Sequence, residues 1–189
     1  MNVTPLRIPD VKILEPERFG DERGFLSETY NRRTFAECGI QLEFVQDNHS
    51  LSRPKGTIRG LHYQAPPFAQ DKLIRVLRGS ILDVAVDLRQ GSPTYGKHVT
   101  AVISTNAWNQ ILVPIGFAHG FCTLEADTEI IYKVTNYYSP GHEQGILWND
   151  PDLGIAWPVA EEISLLSPKD RRLPRLRDIV SPFAYAESC

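Results

Sequence analysis

The segment Arg59-Gly60-Leu61-His62-Tyr63-Gln64 sets a histidine among apolar, strand-forming residues, and Lys72 follows on what reads as the next strand. No cysteine or acid stands beside His62; Asp71 precedes Lys72, and apolar residues follow it. A neutral imidazole takes up a proton near neutral pH, and an ammonium stabilises charge that develops on a nearby oxygen. The pair therefore suits removal of a proton next to a carbonyl, with the cation holding the enolate that results. Read locally, His62 is equally at home as a hydrogen-bonded core histidine. Lys72 is harder to explain that way, because burying an isolated ammonium is costly.

The elements must bring these groups together. Residues 72–77 and 81–88 alternate as two strands, and Arg78-Gly79-Ser80 between them reads as a hairpin connection. Residues 98–104, 109–113, 120–124 and 128–138 add further strands. A brief helix is expected over 31–39, with Asn31 as N-cap and Gly39 at its end. Many short strands without βαβ alternation predict an all-β sandwich or barrel. Along 128–138, strand parity puts Tyr132 and Tyr138 on one face with Ile130 and Val134. Lys72 shares its face with Ile74 and Val76, and Gln46 shares one with Asn48. Arg59 and His62 have opposite parity, so both can reach one cavity only if Gly60 sits at a bulge or twist.

The chain of 189 residues fits one domain with a sizeable core, with residues from about 158 packing outside it. A net charge of −3 carries no basic bias toward nucleic acid or a membrane surface. An anionic ligand would be met by locally arranged cations. Cys38, Cys122 and Cys189 are widely spaced and form no CxxC, which argues for a reducing compartment and against a disulfide framework or zinc knuckle. The apolar stretch 111–118 is interrupted by Pro114 and Gly116 and is too short to span a bilayer. Residues 1–5 have no signal-peptide character. A cytoplasmic protein is expected.

Beyond Gly-Leu-His-Tyr-Gln, the chain carries several further blocks: Asp21-Glu22-Arg23-Gly24-Phe25, Gln46-Asp47-Asn48-His49-Ser50, Pro114 to Phe121, Tyr132-Lys133 with Tyr137-Tyr138, Gly145 to Pro151, and Leu166-Ser167-Pro168-Lys169-Asp170. With these, the chain resembles the dTDP-4-dehydrorhamnose 3,5-epimerases from Phe19 to about Pro182. The resemblance implies a cupin-type jelly-roll β-barrel in a homodimer with exchanged N-terminal strands. It implies epimerisation of dTDP-4-dehydro-6-deoxy-D-glucose at C3 and C5, toward dTDP-L-rhamnose, without a cofactor. His62 becomes the base, Tyr132 the acid on the opposite face of the sugar, Lys72 the enolate's cation and Asp170 the carboxylate that orients His62.

On local evidence Tyr132 is an ordinary sheet aromatic. Ser167-Pro168-Lys169-Asp170 is ordinary helix-start chemistry, although one carboxylate could serve both roles. By the same resemblance Gln46, Asn48, Arg59, His119 and Tyr138 contact the substrate, with the Arg59 fork suited to a pyrophosphate. Arg23, Phe25 and Glu28 would enter the neighbouring subunit's site; locally they read as an exposed edge strand. His119 matches a position that ligates metal in other cupins. His62-Tyr63-Gln64 lacks the accompanying ligands and Lys72 opposes a cation, so no metal is expected. A single-carbon epimerase, a metal-dependent cupin oxygenase and a non-catalytic sugar-nucleotide binder remain as alternatives.

Overall fold

The structure is a computed structural model that describes residues 1–186; Cys189 lies outside them. Six strands form one sheet in the order β1 (Asn2–Pro5), β2 (Lys12–Glu15), β10 (Gln110–Val113), β7 (Lys72–Arg78), β12 (Thr128–Val134), β5 (Gln46–Ser52). Five form the second: β13 (Glu143–Gly145), β6 (Ile58–Gln64), β11 (Phe117–Thr123), β8 (Ser80–Asp87), β9 (His98–Ser104). A separate hairpin pairs β3 (Phe19–Asp21) with β4 (Gly24–Leu26). The ladders are antiparallel throughout, and the two sheets face each other as a jelly-roll barrel of the cupin type.

Alternation explains the barrel's filling. Ile74, Val76, Ile111 and Ile130 point inward from the six-stranded sheet and meet Ile81, Ala85, Val99, Ile103 and Phe121 from the other. Each fully buried isoleucine stabilises the barrel by about 1.5–3 kcal/mol. Parts of the outer faces are covered too. Leu14, Leu73 and Leu112 lie under Phe35 of helix α1 (Arg32–Glu37) and Ile40, while Leu61, Val84, Val86 and Ala118 lie under Ile146, Leu153, Leu176 and Phe183. Every residue of β11 is consequently buried. The α1 ends follow local chemistry: Asn31 Oδ1 accepts from the Arg33 N–H at 2.9 Å, and Gly39 turns the chain with φ +78°.

Two expectations change. The strands flanking Gly79 do not pair as a hairpin: β7 pairs with β10 and β12, whereas β8 pairs with β9 and β11. Gly79, with φ +79°, is the corner at which the chain leaves one sheet for the other. A Cβ there would lie 2.7 Å from Thr128 Oγ1, so the corner requires glycine. The strand expected over 128–138 ends at Val134. Beyond it, side chains take over from the ladder: Gln70 Nε2 donates to the Asn136 carbonyl, Gln64 Nε2 to that of Tyr137, and the Tyr138 N–H donates to Gln46 Oε1. No helix among the described residues is long and apolar enough to cross a membrane.

Candidate active site

A bulge on β6 resolves the parity problem. His62 pairs with His119 and Arg59 with Phe121, so Gly60 and Leu61 together oppose Gly120 alone. Gly60 has φ +131°, and a Cβ on it would lie 2.5 Å from Gly120 Cα. The twist brings Arg59 and His62 to the same cavity, of about 560 Å³, between the two sheets. Lys72, His119, Tyr132, Tyr138 and Asp170 also line it.

His62 Nε2 lies 2.8 Å from Asp170 Oδ1. Asp170 is 4% exposed, and its Oδ2 also accepts the Gly60 N–H at 3.4 Å. Burial penalises this carboxylate's charge, but the hydrogen bond and charge of His62, with the bonds from Gly60 and Ser167, prevail and hold it below the usual carboxylate range. An ionised carboxylate only accepts, so Nε2 carries the hydrogen and Nδ1 is left to take a proton. The cap reading also holds in part: the Asp170 N–H donates to Ser167 Oγ at 3.0 Å, while the carboxylate goes to His62.

Lys72 Nζ donates to the His62 carbonyl at 3.3 Å. Burial lowers its pKa to about 8, against the opposing charges of Asp83 and Glu143. Across the cavity, burial raises the Tyr132 pKa; Arg59 opposes and Glu143 adds to the shift. Its phenol therefore stays protonated at neutral pH. His62 belongs to the five-stranded sheet and Tyr132 to the six-stranded one, so the two groups come from opposite walls.

The remaining expected residues divide. Arg59 is braced by Ser52 Oγ at 3.1 Å. Gln46 and Asn48, bonded to each other at 2.9 Å, line a smaller recess shared with His62, Lys72 and Tyr132. Tyr138 is exposed at the mouth, reaching it by the irregular chain after Val134 rather than by strand parity. His119 Nε2 lies 2.8 Å from the buried Asp83. Arg23, Phe25 and Glu28 do not reach this cavity. Arg23 pairs with Asp21, Phe25 packs edge-on against Trp108, and Glu28 accepts from Asn31 and Thr34 beside α1.

Three groups escaped the sequence reading. Glu143 accepts the Tyr138 hydroxyl at 2.8 Å and pairs with Lys169 at 2.5 Å. Asp83 sits in the apolar run of β8, and a carboxylate there signals a buried partner. Nothing local marks Glu143, and Lys169 drew attention only as a neighbour of Asp170. Among the described residues, no three His, Cys, Asp or Glu side chains are grouped to hold a metal ion.

Residues 5–178 match the family described as dTDP-4-dehydrorhamnose 3,5-epimerase. A relative of that name from Shigella flexneri is 53% identical over 171 residues, 90% of this chain and 93% of the relative. The crystal structure of dTDP-6-deoxy-D-glucose-3,5-epimerase from Legionella pneumophila, in complex with dTDP-4-keto-L-rhamnose, superposes with a TM-score of 0.93 at 44% identity and covers 98% of both chains. A 3'-monoepimerase from Streptomyces bikiniensis, in complex with dTDP-quinovose, gives 0.85 at 33% identity over 92% of this chain and 87% of its own. Identity at this level, spread over nearly the whole of each chain, reflects common descent, and the chain belongs to the dTDP-4-dehydrorhamnose 3,5-epimerase family.

Proposed function

We propose that this protein inverts C3 and C5 of dTDP-4-dehydro-6-deoxy-D-glucose, giving dTDP-4-dehydro-L-rhamnose. The observation that carries the reading is a base and an acid on opposite walls of one cavity, with an ammonium beside the base. His62 Nδ1 removes the proton α to the C4 ketone, and the Nε2–H bond to Asp170 stabilises the imidazolium. Lys72 holds the enolate oxygen while the carbon is planar. Tyr132 then delivers a proton to the other face. A lone base would return the proton where it found it, so inversion needs both groups. Exchange with solvent takes the proton from His62 and returns one to Tyr132, and the same cycle at the second carbon completes the double epimerisation.

Arg59, Gln46, Asn48, His119 and Tyr138 contact the nucleotide sugar in this proposal. Arg23, Phe25 and Glu28 complete the cavity of the other subunit in a homodimer with exchanged N-terminal strands. The unpaired Cys38 and Cys122 fit a cytoplasmic enzyme.

Proton NMR of the 4-keto substrate with enzyme in D₂O tests the reading. Solvent deuterium is expected at both C3 and C5. Label at one carbon only would make this a single-carbon epimerase, and binding without label would make it a sugar-nucleotide binder. His62→Ala should abolish exchange at both carbons, a loss of about 10²-fold or more, while dTDP binding persists. Tyr132→Phe should keep some exchange but lose inversion.

A further inference from the structure

We infer that Asp83 is a positioning residue for this reaction: it fixes the tautomer of His119 and supplies the buried negative charge that holds Lys72 as an ammonium. The inference rests on the proposed epimerisation and adds a residue that never touches the sugar.

Asp83 shares the inward face of β8 with Ile81 and Ala85 and is fully buried. Its Oδ2 lies 2.8 Å from His119 Nε2. Its Oδ1 has no hydrogen-bond partner, the one buried side-chain oxygen or nitrogen so placed among the described residues. A buried carboxylate left half-satisfied is costly, so it calls for a reason.

Its surroundings supply one. His62 on β6, His119 on β11, Tyr132 on β12 and Glu143 on β13 line the cavity with Lys72; Asp170 lies behind His62, and Asp83 on β8 behind His119. Asp170 is committed to His62, and Glu143 to Lys169 and Tyr138. Asp83 is the remaining carboxylate. Burial pulls Lys72 down to about 8, and the charge of Asp83 is the first of the two influences that oppose it. With Nε2–H given to Asp83, His119 keeps Nδ1 as its acceptor, suited to a sugar hydroxyl.

Asp83→Asn separates charge from hydrogen bond, since the amide oxygen can still accept from His119. The Lys72 side-chain NMR signal, assigned by its loss in Lys72→Met, is titrated in the free protein. In Asp83→Asn its midpoint should fall by about one pH unit, as expected when a nearby opposite charge is lost. That shift cuts the ammonium fraction at pH 8 about fivefold and leaves it nearly full at pH 6. The alkaline limb of kcat for C3 exchange should move down in parallel, with activity near wild type at pH 6. Asp83→Ala should lower kcat at both pH values, because the His119 bond goes as well. An unmoved Lys72 midpoint overturns the proposal. In the unaltered protein the Asp83 carboxyl carbon should give the ionised chemical shift across the active pH range. A protonated Asp83 overturns the proposal even if neither variant folds. Both NMR readings need no substrate, so they fail separately from the epimerase reading, which fails if the wild type exchanges no deuterium.

Discussion

At the scale of residues, the site carries a cost that the rest of the barrel does not. Lys72 shares its strand face with Ile74 and Val76, positions where an aliphatic side chain would pack without penalty. Its pKa of about 8 in the fold lies below the usual lysine value, so the folded state disfavours the charge. A group depressed in this way binds fewer protons in the folded than in the unfolded chain between about 8 and 10.4, and stability from it rises with pH across that window. Below about pH 8 the whole penalty applies, on the order of 3 kcal/mol. Lys72→Met should therefore abolish exchange yet raise the melting temperature at pH 7, by an amount that shrinks as pH climbs toward 10. A thermal scan at pH 7 and pH 9.5 checks this; a variant less stable at pH 7 would mean that the ammonium pays its way in the fold. Lys72 was legible in the sequence for this reason, as a charge where only apolar side chains are comfortable. Asp83 offered the same signal in β8, and it identifies a functional group only once His119 and Lys72 are seen beside it.

Elements determine whether those residues meet. The bulge at Gly60 moves His62 and Arg59 into one cavity, and it depends on close contact between two glycines on neighbouring strands. A Cβ on Gly60 would also lie 2.9 Å from the His119 carbonyl, so both histidines sit on backbone that would have to shift. Gly60→Ala should cost about 1–3 kcal/mol from overpacking, plus strain from the positive φ, and should reduce exchange more than dTDP binding. Gly141→Ala, with nothing within 4 Å of the added Cβ, is the control and should melt near wild type. Equal melting temperatures for the two variants would show that the bulge tolerates a side chain. The need for the bulge could be read from parity alone, because Arg59 and His62 could not otherwise share a cavity. Helix α1 was equally readable, its caps being set by Asn31 and Gly39 themselves. The corner at Gly79 was not. Alternation tells which face a side chain takes, but a glycine between two strands serves a hairpin and a change of sheet alike. Tyr138 lines the cavity by a route other than strand parity, for a related reason: the side chains that end β12, Gln46, Gln64 and Gln70, are distant in sequence.

For the molecule as a whole, the β3–β4 hairpin is the part that a single chain leaves unexplained. Phe19, Phe25 and Leu26 are 57%, 56% and 74% exposed, and Arg23 on the turn between the two strands pairs with Asp21. Exposed apolar side chains grouped on one hairpin are the kind of surface that a protein partner covers. The proposed homodimer covers it by carrying the hairpin to the neighbouring cavity, so each site combines residues from two chains. A His62→Ala chain and an Arg23→Ala chain would then each be poorly active as homodimers. In a mixed dimer, the cavity of the Arg23→Ala chain keeps its own His62 and receives an intact Arg23 from its partner. The other cavity carries both defects. Unfolding and refolding the two variants together should restore activity, approaching one good site per mixed dimer, which is about half the wild-type rate per dimer if the sites act independently. Native mass spectrometry can establish that mixed dimers are present. If they are, and activity is only the sum of the two variants, Arg23 works in its own subunit and the exchange is wrong.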